Sequence, residues 1–243
     1  MVTSPKLDRR AAAAAICIER FGLSAIFLWL AALHLHRILI FSGPEKSEIE
    51  GSPFLGIARE VVQLQLYAFV GFLLLLGRRV AMPPRSVKDI AVPLITTFFY
   101  LTYDTVPWMP EVLRRSLCPP GWQTAFASAG LFLNFIGLAI ALWGTAALGR
   151  SFGFFIAVRT VICTGAYRWV RHPIYLGYLG LTAGLAISQF SIACLALASV
   201  HVCLMVYRAR LEEARLSDYS AEYREYQKRT GFIFPKLRRP ALD

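Results

Sequence analysis

Charge is scarce in this chain, and so are the short motifs that identify metal and dinucleotide sites. Only 17% of its 243 residues are charged, whereas 56% are hydrophobic, which is more apolar surface than a soluble domain of this length needs. The sequence has no H-E-x-x-H and no glycine fingerprint for a dinucleotide, so nothing in it indicates a zinc protease or a Rossmann-type dehydrogenase.

Cysteine and histidine are also few. None of the five cysteines forms a C-x-x-C pair, and most lie in apolar surroundings, which is typical of small core residues rather than of a disulfide or metal framework. His34 and His36 are two residues apart and point to different helix faces, and His201 stands alone in an apolar stretch. We therefore predict no metal site.

The net charge of +11 comes from 26 Lys and Arg against 15 Asp and Glu. Such a balance raises the question of nucleic-acid binding, but the basic residues cluster at the ends of apolar stretches. Cytoplasmic loops of membrane proteins have that pattern, so we expect no nucleic-acid partner.

Long apolar runs dominate the chain instead, and about 20 apolar residues suffice to cross a bilayer. The first run is too long for a signal peptide, so we interpret it as a retained span. The last two runs are separated by Ser188–Ser191 and predict a tight helical hairpin. Six apolar segments emerge in all: residues 13–41, 57–77, 89–107, 125–148, 173–188 and 191–208.

The fold class predicted is an all-α polytopic membrane protein with about six transmembrane segments. The distribution of Lys and Arg between loops favours cytoplasmic termini and a cytoplasmic loop before residue 173. After residue 208 the pattern predicts a continuing helix and then a short amphipathic helix at the membrane surface. We expect a multi-pass protein of a bacterial inner membrane, while the oligomeric state is not predicted.

Two polar clusters stand at the ends of the predicted hairpin. In Arg171-His172-Pro173-Ile174-Tyr175 the proline suits the first turn of a helix and biases His172 away from helical geometry. Arg208 and Glu212 are four residues apart and share a helix face. Because the two arms of a hairpin are antiparallel, these clusters are expected to be neighbours; a binding site and a structural ion pair are both consistent with the second cluster.

The motifs G-A-Y-x-x-x-R-H-P-I-Y-L-G-Y from Gly165, R-x-x-x-E-E-x-x-L from Arg208 and E-Y-x-x-Y from Glu222 resemble the isoprenylcysteine carboxyl methyltransferase family, which is related to phospholipid N-methyltransferases. The resemblance covers residues 148–237 and implies a pocket for S-adenosylmethionine. It also implies that residues 125–243 form the catalytic core and that residues 1–124 are three N-terminal spans without a signature.

By position, the resemblance implies two kinds of site residue. Arg208 corresponds to the arginine assigned to the substrate side, and Arg159 replaces a histidine that is usual in eukaryotic members. The residues expected to contact the cofactor are Arg159, Thr160, Val161, Ile162, Tyr167, His172, Pro173, Ile174, Tyr175 and Glu212.

The expected acceptor is lipophilic or lipid-linked and reaches the site from the membrane lipids: a prenylcysteine-like carboxylate, a phospholipid amine, or a small thiol or amine. Methyl transfer from a sulfonium depends mainly on positioning and desolvation. Two alternatives remain open from the sequence. One is a membrane NADPH-dependent reductase of the sterol-reductase type, and the other is a non-catalytic membrane protein that retains the fold.

Overall fold

Helices account for the regular structure of this chain. The computed structural model describes residues 7–41, 53–77 and 80–236, and within those ranges it contains helices and three isolated bridges but no extended strand. The α-helices are α1 (Arg9–Cys17), α2 (Ser24–Phe41), α3 (Pro53–Leu76), α4 (Lys88–Phe98), α5 (Glu111–Arg114), α6 (Gln123–Leu148), α7 (Pro173–Gln189), α8 (Ile192–Tyr219) and α9 (Ala221–Arg229).

In the described ranges, three helical stretches are long and apolar enough to cross a membrane. They are Arg9–Ile40, Gln123–Ser151 and Ile192–Tyr219. The first joins α1 and α2 through a six-residue π-helix, Ile18–Leu23. The predicted apolar, helical character of the protein is therefore confirmed, while the six crossings stay a prediction.

The third predicted segment, residues 89–107, is not one continuous α-helix. α4 ends at Phe98 and a 3₁₀-helix continues from Phe99 to Trp108. The hydroxyls of Thr102 and Thr105 donate to the backbone carbonyls three residues before them. These competing side-chain bonds and the tighter winding shorten the regular helix relative to the predicted one.

α6 and α7 pack against each other at backbone distance. A Cβ on Gly177 would lie 2.5 Å from the amide nitrogen of Ala141 and 2.6 Å from the carbonyl oxygen of Gly137. A Cβ on Gly184 would lie 2.5 Å from the carbonyl oxygen of Gly130. The glycines of α7 are therefore packing residues, as small-residue spacing in membrane helices predicts. This packing fixes the start of α7 against the end of α6.

The C-terminal segment returns to the loop before α7. The backbone amides of Arg171 and His172 donate to the carbonyls of Gly231 (2.8 Å) and Phe232 (3.1 Å). α9 begins at a Ser220 cap whose hydroxyl accepts from the amide of Tyr223. The tail therefore contains a short helix at Ala221–Arg229, while an amphipathic helix at the membrane surface stays a prediction.

Candidate active site

A pocket of about 160 Å³ lies between the segment after α6, the start of α7, the second half of α8 and α9. It gathers residues from both sequence motifs. Ten of the eleven predicted site residues line it, namely Arg159, Thr160, Val161, Ile162, Tyr167, His172, Ile174, Tyr175, Arg208 and Glu212. Pro173 is fully buried and does not line the pocket. These residues are therefore neighbours in the fold, and their contacts with a cofactor stay a prediction.

Pro173 acts on the pocket through the backbone. It is the first residue of α7, and His172 before it has φ −128° and ψ 62°, outside the helical region as a residue before proline is expected to be. The turn of chain at His172 brings its imidazole to the pocket, where the ring centroid lies 5.4 Å from that of Tyr175.

Glu213 connects the histidine to the C-terminal segment. Its Oε1 lies 2.5 Å from Arg171 Nε and 3.3 Å from His172 Nε2. Arg171 Nη1 also donates to the carbonyls of Gln227 and Thr230. The charge of Arg171, which the sequence associates with membrane topology, therefore holds the tail against the pocket as well.

A second group links the two hairpin arms. The hydroxyl of Tyr175 donates to Oε1 of Glu212 at 2.5 Å, and Arg208 Nε donates to the same oxygen at 3.2 Å. The ion pair anticipated from the spacing of Arg208 and Glu212 is thus present. Among the described residues, the hydrogen bonds of Glu212 all use Oε1, which leaves Oε2 for a ligand.

The guanidinium of Arg208 is fixed by hydrogen bonds and aromatic rings. It donates from Nη1 to the hydroxyl of Thr97 (3.1 Å) and from Nη2 to the carbonyl of Phe154 (2.8 Å). Its carbon Cζ lies 5.3 Å from the ring centroid of Phe154 and 5.5 Å from that of Tyr175. A guanidinium has five N–H donors, so after three protein hydrogen bonds two donors remain.

The segment after α6 forms another part of the pocket wall. Arg159 Nη2 donates to Oε2 of Glu19 at 2.8 Å, and its Nε is buried without a hydrogen-bond partner in the described protein. The amide of Ile156 donates to the carbonyl of Asp89, and Val158 pairs with Met82. The predicted cofactor segment is therefore anchored by residues that precede α6.

Sequence patterns did not predict the site residues that come from the region before α6. Phe27, Val70 and Thr97 line the pocket although they come from helices without a signature. Glu19 carried one detectable signal, because an acidic residue inside an apolar run is a functional candidate by default. Contacts between residues that lie far apart in the chain leave no local sequence pattern that could predict them.

Tyrosines close the pocket beside α9. The hydroxyl of Tyr226 donates to the carbonyl of Tyr167 at 2.5 Å, and Tyr223 is buried. Burial raises the pKa of Tyr167 and of Tyr223 well above the ordinary value, so both hydroxyls stay neutral at physiological pH. The tyrosines therefore contribute hydroxyl groups and aromatic surface to the pocket, without charge.

Ser151 lies in the pocket within Gly149-Arg150-Ser151-Phe152-Gly153, which matches the letters of the hydrolase motif G-x-S-x-G. The hydrolase motif requires a strand before the serine and a helix after it. Here α6 precedes Ser151, and a segment without regular helix follows it. We therefore do not interpret Ser151 as a nucleophile.

No group of three His, Cys, Asp or Glu in the described ranges could hold a metal ion. A second cavity, of about 50 Å³, shares Tyr175 and Arg208 with the first. Its walls are mainly apolar and include Phe27, Tyr67 and Leu181. Arg208 therefore faces two cavities, one among the motif residues and one among the helix side chains.

Comparison with known proteins agrees with the motifs. Residues 126–222 match the model of the phospholipid methyltransferase family. The resemblance to the isoprenylcysteine methyltransferase family that the motifs indicated is confirmed by this match and by curated relatives.

Two curated relatives are methyltransferases named for different acceptors. A methanethiol S-methyltransferase of Pseudomonas deceptionensis is 35% identical over 74 residues, which cover 30% of this chain and 28% of that protein. A protein-S-isoprenylcysteine O-methyltransferase of Homo sapiens is 27% identical over 167 residues, 63% of this chain and 57% of that protein. The chain thus aligns with just over half of the human relative and with less than a third of the bacterial one.

Proposed function

We propose that this chain is an integral membrane methyltransferase that uses S-adenosylmethionine to methylate a lipophilic acceptor. The observation that carries the proposal is the single pocket that unites the two separated motifs around Tyr175, Glu212 and Arg208. The names of the relatives, which are methyltransferases for different acceptors, support the reaction more than any one acceptor. They do not favour a reductase.

The residues present fit the chemistry of the cofactor. The unpaired oxygen of Glu212 suits an ammonium or a ribose hydroxyl, and the buried Nε of Arg159 suits a carboxylate. The rings of His172 and Tyr175 offer aromatic surface to a sulfonium cation. Cofactor contacts are therefore proposed for Glu212, Arg159, Tyr175 and His172.

When bound, the cofactor supplies an activated methyl group for in-line displacement. The protein's contribution is to position the acceptor and exclude water. Arg208 is 7% exposed and keeps two N–H donors, which can orient a carboxylate, a thiolate or another electron-rich acceptor. We propose that the acceptor reaches Arg208 from the second cavity, whose apolar walls suit a lipophilic group.

Calorimetric binding of S-adenosylhomocysteine to detergent-purified protein tests the cofactor. We expect micromolar binding by the wild type and a loss of about 10-fold or more in Glu212→Gln, because a hydrogen bond to a charged group contributes about 1.5–3 kcal/mol. Tyr175→Phe should give a smaller loss, since Arg208 still holds Glu212. Absence of binding by a folded wild type would contradict the proposal, and NADPH would be tried next.

Transfer of a radiolabelled methyl group tests the acceptor. The assay compares a prenylated cysteine analogue, phosphatidylethanolamine in vesicles, and methanethiol, each with labelled S-adenosylmethionine. We expect label to enter at least one of the three, and the one with the highest kcat/KM identifies the acceptor class. Binding of the cofactor with no transfer to any of them would favour a non-catalytic protein that retains the fold.

A further inference from the structure

Glu19 is a buried carboxylate in the first apolar helical stretch. It is 2% exposed and lies in the π-helix between α1 and α2. π-helical turns inside α-helices are rare and are frequent at functional sites. A carboxylate in an apolar helix is unfavourable unless it is paired and hydrogen-bonded, so its contacts indicate what it does.

In the part of the chain that the structure describes, the side chain of Glu19 makes three hydrogen bonds, all of them to the pocket wall. Oε1 accepts from the backbone amides of Phe154 (2.5 Å) and Phe155 (3.0 Å), and Oε2 accepts from Nη2 of Arg159 (2.8 Å). The side chains of Glu19 and Arg159 are 3% and 10% exposed. One side chain of the N-terminal region therefore binds the pocket segment at both of its ends.

Phe154 connects Glu19 to Arg208. Its amide donates to Glu19 while its carbonyl accepts from Nη2 of Arg208 at 2.8 Å. The ring of Phe154 also faces the guanidinium, with 5.3 Å between Cζ and the ring centroid. A shift of the Phe154 backbone would consequently move two of the contacts that orient Arg208.

We propose that Glu19 is a positioning residue of the active site. It holds residues 153–159 in place and, through Phe154, orients Arg208 toward the reacting groups. The proposal rests on the methyltransferase function for its link to the cofactor, but the holding of the segment is a property of the protein alone. A role in packing only would instead stabilise all helices together.

Amide hydrogen exchange followed by mass spectrometry, without cofactor, measures directly how firmly residues 153–159 are held. In Glu19→Ala we expect exchange across residues 152–160 to accelerate about 10-fold or more, because the amides of Phe154 and Phe155 and the side chain of Arg159 all lose their carboxylate acceptor. Exchange in the first half of α8 should stay unchanged. Glu19→Gln keeps an acceptor for the two amides and should restore most of the protection.

Binding of S-adenosylhomocysteine to the same variants gives the second readout. Glu19→Ala should bind about 10-fold more weakly, and Glu19→Gln should lie between it and the wild type. Glu60→Gln is the matched control, since Glu60 is 3% exposed in the same N-terminal region and pairs with His34 instead. It should change neither the exchange of residues 152–160 nor the binding.

Two results would overturn the proposal. One is that replacing Glu19 accelerates exchange in every helix, or leaves exchange in residues 152–160 unchanged; the other is a loosened segment with unchanged binding. If the wild type binds no S-adenosylhomocysteine while Glu19→Ala still loosens residues 152–160 alone, the methyltransferase function is refuted and the holding role is supported. The two failures are therefore distinguishable.

Discussion

The helices before residue 109 and the region from α6 onward contribute to the pocket in different ways. The later region supplies the side chains that face the cavity, such as Tyr175, Arg208 and Glu212. The earlier region mainly holds backbone groups of the later one. Glu19 accepts from the amides of Phe154 and Phe155, and the carbonyl of Asp89 accepts from the amide of Ile156.

This difference explains why only one region carries motifs. A group that must meet a ligand needs a particular residue type at a particular spacing. A backbone amide can be held by any well-placed acceptor, so the residues that hold it form no recurring pattern. The predictions below test whether the earlier helices matter to the site as much as these contacts indicate.

The largest effect is expected in the later region. Arg208→Ala removes the ion pair with Glu212 and both bonds that join α8 to Thr97 and Phe154. We propose that Arg208 orients the acceptor, and misplacement of a reacting group can cost about 100-fold in rate, so the methyl-transfer rate should fall at least about 100-fold. Arg208→Lys, which keeps the charge, is the control for folding; a rate within 10-fold of wild type in Arg208→Ala would contradict the assignment.

Asp89 provides the corresponding test in the earlier region. Its Oδ2 accepts from the amides of Arg85 (2.7 Å) and Ser86 (3.0 Å) and pairs with Arg215 of α8. Asp89→Ala should lower the free energy of unfolding in detergent by about 1–3 kcal/mol, because these partners lose a buried acceptor. Asp89→Asn keeps the acceptor and should lose less. Equal stability of all three proteins would show that this contact contributes little.

A variant of Thr97 distinguishes an effect on the orientation of Arg208 from an effect on the binding of the cofactor. Thr97→Val keeps the shape but removes the acceptor for Nη1 of Arg208, and we expect the transfer rate to fall about 3–10-fold, as for one hydrogen bond of about 1 kcal/mol. Affinity for S-adenosylhomocysteine should stay within about 2-fold of wild type if Thr97 acts only through Arg208. Thr97→Ser should behave as wild type, and a large loss of cofactor affinity would place Thr97 in the cofactor site instead.

The smallest effect is expected at Glu225, which forms an exposed pair with Lys228 on α9. Exposed ion pairs contribute little because water and salt screen them. Glu225→Gln should change neither transfer rate nor cofactor affinity by more than about 2-fold. A clear loss in a kinetic assay would show that the outer face of α9 takes part in function.

The hairpin and its polar ends could be predicted from the sequence because their signals are local. Pro173 marks the start of α7, and the polar break before Ile192 separates the two arms, as in the structure. The end of α4 at Phe98 was missed, since apolar composition alone does not distinguish an α-helix from a 3₁₀-helix.

The candidate site was predictable only in part, for a physical reason. Residues of the two motifs lie at the ends of adjacent antiparallel helices, so their meeting follows from the hairpin. The contact of Glu19 with Phe154 joins residues 135 positions apart, and it depends on how the first helix packs against the later ones. Helical periodicity gives no information on such a pairing.

A structure determined with saturating S-adenosylhomocysteine tests the central claim most directly. We predict that the ligand lies in the pocket between Glu212, Tyr175 and residues 159–162, with a polar group on the free oxygen of Glu212. A ligand bound elsewhere, or a pocket left empty at saturation, would contradict the account.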